Sequence, residues 1–327
     1  MQEELFASEI SEINANSNVT IGKTMLVDKV SHCIGIVRHY RKYIDYVKIG
    51  GGLPFIMDSN DLRTRIQEIR EMGIGVMTGG TFLETCSLKG KIEAGINLAK
   101  QVGFTHLELS EGNLGLTRRD KKIAVEIAES VGLKILIEVG RKNGDNEYTV
   151  HDAIYRIEEA KEMNPELIII EGGDTGRDVG IYDFQGNIKW DWVEKILETN
   201  SPETFMFEAP GEKQQSDLIS RIGTGVNLGN VSIMSAASLV TRRLGLAGDT
   251  IPARDQAKDF HGSPATKFVF HVIRNSITAD QTNIMNITGL NRRTVQNAIN
   301  ELLELRLIKE VFDQRDLRRK TYTCVNR

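Results

Sequence analysis

Along the first 250 residues, apolar runs of four or five positions alternate with longer stretches in which apolar residues return every three or four positions. The first kind fits buried strands and the second amphipathic helices, and their alternation marks parallel βαβ units. The predicted strands are Thr24–Val27, Tyr46–Ile49, Gly75–Thr78, His106–Ser110, Lys134–Glu138, Leu167–Glu171, Thr204–Phe207 and Gly225–Leu228. Helical periodicity covers Leu62–Met72, Gly90–Val102, Lys121–Val131, Val150–Met163 and Trp190–Glu198. Eight strands spaced by about 20–35 residues predict an α/β fold closed as a (β/α)8 TIM barrel rather than an open sheet.

The pattern changes after residue 250. Residues 251–264 hold two prolines and little periodicity, and read as a linker. Beyond them, Thr266–Asn275, Ala279–Ile287 and Asn291–Leu305 predict three helices, with Gly289 in the last turn and Asn291 as an N-cap. Leu307–Phe312 and Thr321–Val325 then predict a hairpin around a charged turn, Asp313–Lys320. The organisation expected is an extension (1–19), a barrel (20–250), the linker, and a small domain (265–327).

At 327 residues, 40% hydrophobic and 26% charged, the chain can bury a full core without disulfides. Cys33, Cys86 and Cys324 are scattered, which argues against a disulfide framework or a zinc site and for a reducing compartment. The acidic, polar start suits neither a signal nor a transit peptide, and no apolar run approaches the ~20 residues that span a bilayer. A cytoplasmic protein without membrane partners is the expectation. The net charge of −4 is uneven: from Ala265 onward there are 11 Lys/Arg against 6 Asp/Glu, and before it 30 against 39. A basic tail on an acidic body accompanies nucleic-acid binding, and equally a merely solvated tail.

The predicted strand ends carry the candidate chemistry. Glu108, Glu138, Glu171 and Glu208 lie at or near the ends of four successive strands, and barrel strand ends converge where active sites are built. Carboxylates gathered so closely repel one another unless a cation joins them. An all-oxygen set suits a hard ion, Mg²⁺ before Mn²⁺, and Lys48 and Lys142 are the candidate cationic side chains. Glycine-rich turns follow several strands, among them Gly79-Gly80-Thr81 and Leu228-Gly229-Asn230. Such turns let backbone amides approach a phosphate, with Asn227 to Asn230 after the last strand the favoured place, although turns need glycine anyway. In the tail, Arg292, Arg293, Gln296, Asn297 and Asn300 face away from the apolar stripe Val295, Ile299 and Leu302, and Arg315, Arg318, Arg319 and Lys320 crowd the hairpin turn. These side chains hold phosphates or read base edges.

Several of these segments resemble phosphosulfolactate synthases: Tyr43–Gly50, Thr78–Glu84, Glu108–Gly112, Glu138–Lys142, Val179–Asp183, Phe207–Pro210 with Gln214-Gln215, Val226–Asn230, Leu244–Leu246 and Gly248–Thr250. The resemblance runs in order from about residue 20 to 250. It implies a (β/α)8 barrel and Mg²⁺-dependent addition of sulfite to phosphoenolpyruvate. It makes Lys142 the acid that protonates C2, with Lys48 and Glu138 beside it, and leaves Arg141 to neutralise charge because a guanidinium does not readily give up a proton. Gly50–Pro54 departs from the family's glycine-tryptophan-glycine-threonine-serine stretch, and Gly173–Gly176 from its Arg-Glu-Ser-Gly. The missing arginine matters because its fork suits phosphate and sulfonate oxygens, and Arg177 is the nearby substitute. The tail resembles a winged helix of the transcription-regulator type, whose small footprint on double-stranded DNA calls for a homo-oligomer, at least a dimer. Two functions follow from different classes: a lyase carrying a regulatory or assembling module, and a transcription regulator whose barrel senses a phosphorylated or sulfonated metabolite.

Overall fold

The computed structural model describes residues 21–29, 34–110, 116–140, 148–247, 263–276, 279–305, 307–313 and 316–324. The chain divides into two compact units, 1–215 with 224–241, and 216–223 with 242–327.

In the first unit eight parallel strands close on themselves: β1 (Thr24–Asp28), β2 (Tyr46–Ile49), β3 (Gly75–Thr78), β4 (His106–Leu109), β5 (Lys134–Val139), β6 (Leu167–Ile170), β7 (Phe205–Glu208) and β8 (Asn227–Ser232). The predicted (β/α)8 barrel is the fold. Met25, Tyr46, Met77, Leu136, Leu167, Ile169 and Met206 form one buried cluster inside it. Side chains alternate along a strand, so the residues two positions beyond Tyr46, Leu136, Ile169 and Met206 return to the same side. Those residues are Lys48, Glu138, Glu171 and Glu208. An apolar layer thus carries a polar layer directly above it.

The outer helices start where the chemistry of the first turn favours it. Asp58 caps Ser59–Glu71 by accepting from Asn60 and Asp61 N–H, Thr117 caps Arg118–Ser130, and Thr149 forms a reciprocal capping box with Asp152 ahead of Val150–Lys161. Helices also occupy Ile34–Tyr40, Leu53–Ile56, Gly80–Leu88, Glu212–Ile222 and Ala236–Arg243, which the periodicity did not predict as separate elements.

Below the apolar layer, Glu166 gathers a polar network at the N-terminal ends of the strands. It accepts from the Tyr46 hydroxyl, from Lys23 Nζ at 3.1 Å and from Lys134 Nζ at 3.1 Å, with His106 Nε2 at 3.3 Å. Burial alone would raise the Glu166 pKa, but the Tyr46, Lys134 and Lys23 donors outweigh it and hold the carboxyl down at about 2. The same burial and the same carboxylate push the Tyr46 phenol well above its usual value, and burial lowers His106. Asn227 belongs to this end. It opens β8, its Oδ1 accepts from Lys23 N–H at 2.8 Å, and its Nδ2 donates to Phe205 O and Glu203 O at 2.8 and 3.1 Å. The eighth strand therefore starts later and runs further than Gly225–Leu228, and Gly229 rather than Asn227 stands level with Glu208.

The second unit contains helices Pro264–Asn275, Gln281–Thr288 and Arg292–Glu304, with β9 (Ala279–Asp280), β10 (Ile308–Asp313) and β11 (Asp316–Cys324). The sheet order is β10-β11-β9, antiparallel throughout. Val269, Ile273, Ile284, Val295, Ile299 and Leu302 lead its buried core. Asn291 caps the third helix through Thr294 N–H at 2.9 Å, as its spacing predicts. The hairpin corrects one expectation: most of the charged stretch 313–320 is strand, because β11 already begins at Asp316.

Candidate active site

Lys48 sits at the centre of the polar layer. Its Nζ donates to Glu108 Oε2 at 2.9 Å and to Glu208 Oε1 at 3.0 Å, with all three side chains at most 6% exposed. Burial opposes its charge, but the joint field of Glu108, Glu208 and Glu138 outweighs that and holds the ammonium well above the ordinary lysine value. Lys48 is therefore held as a positive charge at neutral pH.

Backbone amides complete the arrangement. Gly80 N–H donates to Glu108 Oε1 at 2.8 Å, Gly172 N–H to Glu208 Oε2 at 3.1 Å, and Gly173 N–H to Glu171 Oε1 at 2.5 Å. Gly80 has no room for anything larger: a Cβ there would stand 2.2 Å from Ser110 Oγ and 3.2 Å from Glu108 Oε1. At Gly173 a φ of +67° adds a backbone reason for glycine. Tyr182 supports β7 by donating its hydroxyl to Glu208 O at 2.6 Å.

Glu138, Glu171 and Glu208, all buried, bring carboxylate oxygens within 4.8 Å of one another. Among the described residues these form the one group with the donor set of a metal site, and its all-oxygen character fits a hard divalent cation. Glu108 is drawn instead toward Lys48 and Gly80. Gly79 closes against the β2 loop, where a Cβ would meet Gly51 N at 3.0 Å, and Thr81 lies in the first turn of Gly80–Leu88. Asn230, buried with φ +52°, donates its Nδ2 to Gly173 O at 2.9 Å and so fixes the β6 loop. At Gly229 a Cβ would stand 2.7 Å from Met25 Cε and 3.1 Å from Met206 Cγ and Sδ, so a side chain there would have to displace the methionines. Arg177 is exposed. Arg141 and Lys142 lie outside the described residues.

Three features of the mouth escape sequence reasoning because each joins distant segments. Ser110 Oγ donates to Glu84 Oε1 at 2.6 Å, Gln214 Nε2 ties Gly176 O at 2.7 Å to Gly186 O at 3.2 Å, and Lys29 pairs with Asp174 at 2.6 Å. Phe55, next to the segment that departs from the family, stacks on Phe82 at 4.9 Å.

In the second unit Arg292, Arg293 and Asn297 are exposed on the third helix and Gln296 is half-buried. Gln296, Asn300, Gln281, Asn283 and Asn286 line an open groove of 760 Å³ with Lys320 of β11. Arg318 and Arg319 are on β11, though their side chains, like the whole of Arg315, lie outside the described residues. No helix among the described residues is long and apolar enough to cross a membrane.

Buried strand-end carboxylates around a lysine, on the C-terminal face of a closed barrel, define the class: a (β/α)8-barrel enzyme. Residues 15–249 match the family of (2R)-phospho-3-sulfolactate synthase (ComA); the chain belongs to that family and is a lyase. The phosphosulfolactate synthase of Methanocaldococcus jannaschii is 33% identical over 210 residues, covering 64% of this chain and 84% of that protein. Those of Methanothermobacter thermautotrophicus and Bacillus subtilis are 28% and 31% identical, covering 70% and 64% of this chain and 91% and 82% of theirs.

Proposed function

We propose that the barrel adds sulfite to phosphoenolpyruvate, giving phosphosulfolactate, with Mg²⁺ at Glu138, Glu171 and Glu208. The observation that carries this is the buried convergence of those carboxylates in a chain of this family. A divalent cation held by these residues would supply positive charge to stabilise the substrate carboxylate. The sulfur lone pair forms the C–S bond at C3, the C2–C3 π pair moves toward the carboxylate, and C2 then takes a proton. Lys142 is assigned that proton, with Arg141 neutralising charge. Lys48 pairs with Glu108 and Glu208 and holds them in place. Gly79, Thr81, Arg177, Gly229 and Asn230 are the phosphate-side candidates, the Gly80 amide being taken up by Glu108. The test is direct: purified protein, phosphoenolpyruvate, sulfite and Mg²⁺, with product followed by phosphorus NMR. Turnover that survives excess chelator removes the metal from the reading. Normal turnover by Lys142→Met removes Lys142, since losing a positioned acid costs on the order of 10²–10⁴ in rate.

The C-terminal unit reads as a winged helix for double-stranded DNA, acting in a homodimer. Its three helices and three short strands follow that order, and two features favour nucleic acid. Arg292 and Arg293 occupy the first turn of their helix, where the helix dipole disfavours cations and where no acidic residue balances them. The groove lined by Gln281, Asn283, Asn286, Gln296 and Asn300, together with Asp280, Glu310 and Lys320, offers amide donor–acceptor pairs that suit base edges. A sensor-regulator is the second reading, favoured by the same arginines and by Gly173 in place of the family's arginine. It requires the barrel's ligand to change DNA affinity and DNA to change ligand affinity by the same factor. DNA binding across salt, with and without phosphoenolpyruvate, separates the readings.

A further inference from the structure

The ends of β1 and the loop after β6 meet through Lys29 and Asp174, whose Nζ–Oδ1 distance is 2.6 Å across 145 positions of sequence. Along β1, Met25 points into the barrel and Asp28 outward, where it pairs with Arg65 of the helix Ser59–Glu71. Lys29 follows directly on β1, two positions beyond Val27, and Val27 is level with Lys48. Lys29 therefore stands one step above the buried lysine, on the solvent side of the acidic layer.

That layer has a charge problem for any anionic substrate. Glu108, Glu138, Glu171 and Glu208 with Lys48 carry a formal charge of −3, four carboxylates against one ammonium, and the proposed Mg²⁺ still leaves it at −1. Lys48 is committed to two carboxylates and is 6% exposed, so it cannot turn outward to receive an anion. Lys29 can: its side chain is 51% exposed, and its carboxylate partner 73%. An ion pair this wet is held weakly and exchanges readily. Nor is the pair needed to hold the β6 loop, which is already fixed by Asn230 Nδ2 to Gly173 O and by Gly173 N–H to Glu171.

We propose that Lys29 is an anion-binding residue of the mouth, kept in position by Asp174 until an anionic group of the substrate displaces that carboxylate. The ligand class is a small phosphorylated or sulfonated acid, and the inference rests on the proposed reaction for the choice of phosphoenolpyruvate as probe. Asp174 acts as a competitor, so the two residues have opposite effects on affinity.

The experiment uses the full chain with Mg²⁺. Lys29→Met should raise the KM for phosphoenolpyruvate by about tenfold or more with kcat changed far less, since removing binding alone acts on KM. Asp174→Asn should lower KM a few-fold, and the double variant should behave as Lys29→Met. An unchanged KM in Lys29→Met overturns the proposal. So does a KM raised alike by both single variants, because then the pair only orders the loop. If the wild type turns over no phosphoenolpyruvate, the proposed reaction falls, and calorimetric titration with inorganic phosphate decides Lys29 separately. Weaker binding in Lys29→Met and tighter binding in Asp174→Asn supports it; equal binding in all three overturns it.

Discussion

Glu166→Gln isolates the polar network at the base of the barrel from the chemistry at its mouth. Glutamine keeps the shape and can still accept from Tyr46, but it gives Lys23 and Lys134 no charge partner. In the folded protein the Glu166 carboxyl titrates at about 2, against an ordinary 4.5. Each unit of such a difference is worth about 1.4 kcal/mol. The side chain is 22% exposed and its lysine partners more so, so the full figure is discounted to about 2 kcal/mol for screening. The sign follows from the depressed value: the stabilisation is complete above about pH 4.5 and is lost as pH falls toward 2. At neutral pH the variant should therefore melt roughly 4–8 °C lower, given about 2–4 °C per kcal/mol for a unit of this size. Near pH 2.5 most of that gap should have closed. Tryptophan fluorescence is the right probe, because Trp190 and Trp192, the chain's two tryptophans, both lie in the barrel unit. Equal melting of both proteins at pH 7, or a gap that persists undiminished to pH 2.5, refutes the reasoning. The network also reaches the mouth, since β2 carries Tyr46 and Lys48, and β4 carries His106 and Glu108.

Lys48→Met should cost about 3–5 kcal/mol at pH 7, read by the same fluorescence melt, because it leaves Glu108 and Glu208 buried without their cation. Mg²⁺ should raise the melting temperature of the wild type and raise that of Lys48→Met by more, since a positive charge next to the acidic trio has been removed. No shift with millimolar Mg²⁺ in either protein counts against a site at Glu138, Glu171 and Glu208. For the second unit, neutralising Arg292 and Arg293 together should reduce the salt dependence of DNA binding by about 1.8 in slope, two phosphate contacts at about 0.9 each, with barrel turnover unchanged. An unaltered slope removes both arginines from the interface.

How far the sequence carries the fold depends on where local pattern and long-range structure agree. The barrel is legible because each inner strand is a short apolar run ending in a polar residue. The eighth strand is blurred because its inward positions, Asn227 and Gly229, supply a buried amide and no side chain, so no apolar alternation marks it. The helix Gly80–Leu88 opens on residues that read as a turn, and β11 carries charges that read as a loop. Position at a strand end is likewise enough to nominate Glu108, Glu138, Glu171 and Glu208. Their division of labour is not local: it depends on Lys48 reaching residues 60 and 160 positions away.

The glycines make the same point in chemical terms. Glycine-rich turns at barrel strand ends suggest amides turned toward a phosphate, yet the Gly80, Gly172 and Gly173 amides each donate to a glutamate of this chain. The chemistry is the one expected, backbone N–H groups converging on an anion; the anion is the protein's own. These donors stabilise charge on Glu108, Glu171 and Glu208 that would otherwise be self-repelling. Amides spent in this way are not available to the substrate, and anion capture at the mouth falls to the remaining amides and to side chains.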